Sequence, residues 1–171
     1  MVCLLAVLCS WSQRQALDGS VVAQTTSCGN FAWDARFNGE QGVNGIVLAI
    51  AQAPTGEVFV GGRFTRAGNV NANNIAYWHP TGGWRAFEQG NGQNGVGGVA
   101  FAEVTALAVS GETVYVGGRF TQAGGLPANN VASWTYRNGW QALAGNGGNG
   151  VGGTGAPQVY ALALDKEDVY V

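Results

Sequence analysis

The segment VGGRFTRAG at residues 60–68 returns as VGGRFTQAG at residues 116–124, an offset of 56. The same offset carries ANNIAYW at 72–78 onto ANNVASW at 128–134, and Gly83-Trp84 onto Gly139-Trp140. Over residues 60–87, 16 of 28 positions are identical at this shift. Beyond the second tryptophan one residue is lost. At an offset of 55, NGVGG at Asn94 matches Asn149, VTALAV at Val104 matches VYALAL at Val159, and Val114-Tyr115-Val116 matches Val169-Tyr170-Val171. An earlier partial copy places VLAIA at Val47 and VFV at Val58, with Trp33 to Phe37 and NGEQGVNG upstream of them. A period of this length makes each unit a supersecondary piece that buries its faces only against its neighbours. The chain carries about two and a half units, and is expected to be a fragment of a longer repeat protein.

Short apolar or aromatic runs bounded by turn residues predict four strands per unit. In the fullest copy they cover 104–109, 113–120, 131–134 and 140–143. A Ser110-Gly111-Glu112 turn joins the first two, and a turn containing Asn138-Gly139 joins the last two. No stretch has the 3.6-residue period of a helix. Four antiparallel strands in a unit of about 40–50 residues is the pattern of a propeller blade. The expectation is therefore an all-β chain of four-stranded antiparallel blades, an incomplete β-propeller over residues 30–171, with blade ends near 38, 88 and 144. Closed propellers take about four to eight blades, so this chain by itself is expected to leave strand edges open.

The recurring residues have structural readings. Gly61-Gly62 and Gly117-Gly118 interrupt a strand, which predicts a bulge or a close backbone approach. Trp78, Trp84, Trp134 and Trp140 are expected to fill the space between splayed sheets with their indole N–H groups bonded. G-x-G-x-x-G occurs at Gly90, Gly92, Gly95 and at Gly145, Gly147, Gly150. A dinucleotide loop needs a strand before it, a helix after it and a downstream acid, whereas here a strand follows and the motif repeats with the unit. Arg63 and Arg119 recur; they are read as held by a carboxylate or carbonyls of the adjacent blade, against the alternative of an anion-binding ring. Asn73-Asn74 and Asn129-Asn130 are read as caps of local backbone groups, with a ligand role on one rim as the alternative.

No catalytic, metal or cofactor residues emerge. His79 is the single histidine and becomes Thr135 one unit later. The acids are scattered, and Glu167-Asp168 reads as a solvated turn. No calcium-loop, nucleophile-elbow or N-glycosylation pattern is present. Charged residues are 11% of the chain, the net charge is −2, and Lys166 is the one lysine. Nucleic-acid binding needs clustered cations, so it is disfavoured. Cys3, Cys9 and Cys28 all precede the repeats. The apolar run from Val2 to Leu8 is too short to span a bilayer and is similar to the core of an export signal, although no basic residue precedes it. Residues 1–29 are thus read as a signal-like or disordered segment, the alternative being an arbitrary extension. Export would place the protein outside the cell or on its surface.

The segments VFVGGRFTRAGNVNANNIAYW and VYVGGRFTQAGGLPANNVASW, each followed by Gly-Trp, resemble a kelch-like propeller repeat of large secreted bacterial proteins. They are also similar to repeats of fungal cortical polarity markers. The resemblance covers residues 31–171. It implies a non-enzymatic extracellular or cell-surface module that presents loops to a protein or glycan partner, alongside further blades of the same protein. Exposed aromatic loop residues would favour sugar. The alternative is the propeller portion of a secreted enzyme, galactose-oxidase-like or glycan-active, whose catalytic residues lie outside this chain. The copper-binding Tyr, Cys and His set of galactose oxidase has no counterpart in these repeats.

Overall fold

A computed structural model describes residues 42–145, 148–165 and 168–171, all within the compact unit Arg36–Val171. The signal-like segment, the three cysteines, the Trp33 to Phe37 segment, Gly147, Lys166 and Glu167 lie outside the described residues. The first sheet begins with β1 (Ile46–Gln52) and β2 (Val58–Arg63). A small hairpin follows, β3 (Arg66–Ala67) with β4 (Val70–Asn71), and then β5 (Ile75–His79) and β6 (Gly83–Ala86). A short strand, β7 (Val96–Gly97), leads to β8 (Glu103–Ser110) and β9 (Thr113–Arg119). A second small hairpin, β10 (Gln122–Ala123) with β11 (Leu126–Pro127), precedes β12 (Val131–Thr135) and β13 (Gly139–Ala142). The chain continues through β14 (Ala144–Gly145), β15 (Gly148–Asn149), β16 (Ala163–Asp165) and β17 (Asp168–Tyr170).

The described residues are all-β, with no helix among them. Two four-stranded meanders dominate, in the orders β1-β2-β5-β6 and β8-β9-β12-β13. Every strand pairing is antiparallel, and no sheet closes on itself. The strands lie within a residue of the spans expected from sequence. The hairpins at the outer edge have the same cause in both sheets. His79 pairs with Gly83 and Thr135 with Gly139, which leaves three-residue loops. Each of these glycines has φ 67°, the left-handed position that closes a three-residue hairpin loop.

The glycine pairs divide their labour. Val104 of β8 reaches into the space above Gly61, where a Cβ would stand 2.4 Å from its Cγ1. At the next junction a Cβ on Gly117 would stand 2.5 Å from Val159 Cγ1. The first glycine of each pair thus lets the following unit approach. The second faces its own sheet: a Cβ on Gly62 or Gly118 would lie 2.0 Å from the carbonyl oxygen of Ile46 or Glu103. Those partners sit beside bulges, where the register shifts between Val47 and Ala49 and between Val104 and Ala106. Bulge and close approach therefore occur together, one for each glycine.

Aromatic packing runs from one sheet to the next. Phe87 is fully buried and lies 5.8 Å from Phe59 and 5.5 Å from Tyr77, in its own unit. It also lies 4.6 Å from Trp134 and 5.6 Å from Trp140, in the following one. Trp134 Nε1 donates to Glu88 O at 3.1 Å and Trp140 Nε1 to Phe87 O at 3.0 Å. The indoles of the second unit therefore bury area and satisfy carbonyls of the first. On β1 the pattern differs. Ile46, Val47, Leu48 and Ile50 are exposed, although Val104 and Leu107, the β8 counterparts of Val47 and Ile50, pack into the core. No described residue covers β1 as β1 and β2 cover β8.

Candidate binding clefts at the sheet junctions

Where β2 and β9 end, the chain reads Arg-Phe-Thr in both units. Phe64 and Phe120 are buried, which fixes the flanking Arg and Thr at the surface. The second asparagine of each Asn-Asn pair has a left-handed backbone, φ 67° at Asn74 and 63° at Asn130. Asparagine tolerates that region better than most residues. Its amide then ties its own sheet to a glycine tail. Asn74 Nδ2 donates to Val96 O at 2.9 Å, and Asn130 Nδ2 donates to Val151 O at 2.8 Å. The first asparagine acts through its backbone, Asn73 O accepting from Val96 N at 3.0 Å and Asn129 O from Val151 N at 2.8 Å.

This strap also accounts for the G-x-G-x-x-G motifs. Gly90 and Gly92 lie in the loop between β6 and β7 with positive φ, and strands follow. A Cβ on Gly95 would meet Asn73 O at 2.0 Å, and one on Gly150 would meet Asn129 O at 2.1 Å. The third glycine of each motif is therefore a close backbone crossing, with no helix N-terminus for a pyrophosphate.

A cleft opens beside each Arg-Phe-Thr. The first, of roughly 240 Å³, is lined by Asn44, Arg63, Phe64, Thr65 and Asn74. The second, of roughly 460 Å³, is lined by the equivalent Arg119, Phe120, Thr121 and Asn130, and by residues of the next glycine tail. The two arginines differ in what holds them. Arg63 Nη2 lies 2.7 Å from Glu103 Oε2, at the start of the following inner strand. That bond holds the Glu103 carboxyl below the usual glutamate range, against the opposing effect of burial, and Gln158 Nε2 adds a second donor at 2.9 Å. Arg119 Nη2 instead donates to the carbonyl of Phe101 at 2.6 Å. Arg63 is held by a carboxylate of the adjacent unit, as expected from sequence, whereas Arg119 is held by a carbonyl of its own unit, which departs from that expectation.

Two participants were missed from sequence. Glu103 was one of many scattered acids; the available signal was its place at the head of an inner strand, with Gln158 at that place one unit later. Phe101 lies between the glycine tail and β8, at φ 57° and 71% exposed. Its counterpart one unit later is Ala156. Nothing in composition marks a phenylalanine as left-handed.

His79 is remote from these clefts. Its Nε2 lies 3.8 Å from Glu57 Oε1, and its Nδ1 meets the Thr81 hydroxyl at 3.2 Å. The Thr55 hydroxyl hydrogen bond is the main cause that lowers the Glu57 carboxyl, and His79 adds a little. Among the described residues no three His, Cys, Asp or Glu side chains gather to hold a metal. No helix there is long and apolar enough to cross a membrane. No family model, curated protein or solved structure matches the chain.

Proposed function

We propose that the chain is a non-enzymatic binding and scaffold module of the cell exterior, its four-stranded sheets being blades of a kelch-like β-propeller. The observation that supports this reading most is the repetition of the junction. Gly61 receives Val104, and Gly117 receives Val159 by the same approach. Stacking of four-stranded meanders by one repeated step is how propeller blades build a ring. On this reading further repeats of the same type cover the apolar residues of β1. The clefts at each junction then lie on one rim, where loops present side chains while the sheets hold them rigid. The exposed aromatic Phe101, next to the cleft residues Val99 and Ala100, favours a glycan partner over other classes.

The test is a glycan array together with partner capture from the cell surface, using the full-length protein. Saturable binding to a defined glycan or surface protein, with the ligand recovered unaltered, is the expected result. Turnover of the bound ligand, or no partner in either assay, would reject the reading.

A further inference from the structure

The two junctions share a backbone design but differ in charge. At the first, Glu103 neutralises Arg63. At the second, the position equivalent to Glu103 is Gln158, a neutral amide whose Nε2 turns back to Glu103 itself. Arg119 Nη2 donates to one main-chain carbonyl, and the Glu103 carboxylate, its cross-strand neighbour in the β8–β9 pair, attracts its charge without a hydrogen bond between them. Its Nε is buried with no hydrogen-bond partner among the described residues. A buried donor without a partner is costly, and the Arg119 side chain lines the larger of the two clefts.

Two polar side chains of the second cleft also lack hydrogen-bond partners among the described residues. Asn73 bonds through its side chain at the first junction, whereas the equivalent Asn129 shows no side-chain hydrogen bond among the described residues, nor does Thr121. Both line the cleft. On its rim, Val99 and Ala100 lead into Phe101, whose ring is exposed and whose φ is positive. A bulky residue in that region is strained. Arg119 donates to the carbonyl of that same residue. Neither a guanidinium without a side-chain hydrogen-bond partner nor the strained phenylalanine recurs at the first junction, so the repeat architecture does not require them.

We infer that the Arg119 cleft is a binding site for an acidic saccharide, a sugar bearing a carboxylate. This rests on the binding-module reading above and names its ligand class. One guanidinium without a side-chain hydrogen-bond partner suits a singly charged carboxylate; a phosphate would call for more cations than the single arginine lining the cleft. Thr121 and Asn129 supply a hydroxyl and an amide for sugar hydroxyls. Phe101, which directly follows the lining residues Val99 and Ala100, offers an exposed apolar ring to the sugar. A cleft of roughly 460 Å³ lies within the usual range for small-ligand sites, about 300–1,000 Å³.

The experiment is calorimetric titration of the full chain with tri-galacturonate, its methyl ester and acetate. The expected result is binding of tri-galacturonate about tenfold tighter than of its ester, the size of one lost charge-assisted hydrogen bond, with acetate far weaker. Arg119→Gln is expected to lose about tenfold, and Phe101→Ala several-fold. Gln158→Glu keeps the arginine but supplies the carboxylate of the first junction; it is expected to lose as much as Arg119→Gln. Arg85→Gln, on an exposed stretch of β6, is the control and leaves affinity unchanged. Equal binding of acid and ester, no binding at all, acetate binding as well as the saccharide, or full affinity in a folded Gln158→Glu variant would each overturn the inference. Cleavage of the tri-galacturonate would instead overturn the non-enzymatic reading and leave the site standing.

Discussion

Val104 occupies the space that a side chain at Gly61 would need, its Cγ1 standing 2.4 Å from where that Cβ would be built. The obstacle is a side chain, so it can be trimmed. Gly61→Ala is expected to destabilise the fold by about 1–3 kcal/mol through overpacking, and Val104→Ala in the same chain should recover part of the loss. Gly62→Ala meets the main-chain oxygen of Ile46 at 2.0 Å instead, so no side-chain truncation should rescue it. Urea denaturation of the three variants, and of Gly62→Ala with Val104→Ala, checks both statements.

Phe87 joins two sheets through one ring. Phe87→Ala is expected to cost about 3–5 kcal/mol, the range for a buried aromatic. It should also uncouple the units, seen as separate transitions or a lower denaturant slope. Trp140→Phe, which removes the donor to Phe87 O but keeps an aromatic ring, should cost less and leave unfolding cooperative.

Asn130 serves through both its backbone and its amide. Asn130→Gly keeps the left-handed φ but removes the bond to Val151 O, and is expected to cost about 1–2 kcal/mol. Asn130→Ala loses the bond and adds backbone strain, so it should be the less stable of the two. Thermal melts of both variants measure the order. Equal stabilities would show that the backbone contributes nothing.

The Arg63–Glu103 pair gives the fold a defined acid response. The Glu103 carboxyl is held below its ordinary value of 4.5, first by the Arg63 hydrogen bond. A depressed folded pKa means that the stabilisation is complete above that ordinary value and is lost as pH falls through the folded one. Arg63 is about half exposed, 48% by side chain, so the neutral-pH cost of Glu103→Gln is expected to be only about 1 kcal/mol. Melting curves should show the wild type's advantage at pH 7 shrinking below pH 4.5, with the two proteins converging in acid.

Much of the main sheets was legible because their signals are local. Val-Tyr-Val and Val-Ala-Ser-Trp runs, bounded by Gly and Asn, leave few alternatives to strands, and the Gly-Gly pairs pointed to both the bulge and the close approach. The hairpins β3-β4 and β10-β11 were not legible. They have two residues per strand, too few to establish an alternating pattern, and lie in stretches that read as loop. The strap from Asn74 to Val96 was hidden for another reason. It joins residues 22 apart, and sequence shows an asparagine's capacity to bond but not its partner. At the clefts the arginines were visible by recurrence, whereas the distinction between them rests on Glu103 against Gln158, a difference between units that a search for identity passes over.

That difference gives the array an order. The backbones at the two seams are near copies, so a shuffled pair of units would still stack. With the heads of the inner strands exchanged, however, a carboxylate would meet Arg119 and an amide would meet Arg63. Each seam therefore carries its own chemical address, and units alike enough to have arisen by duplication are no longer interchangeable parts.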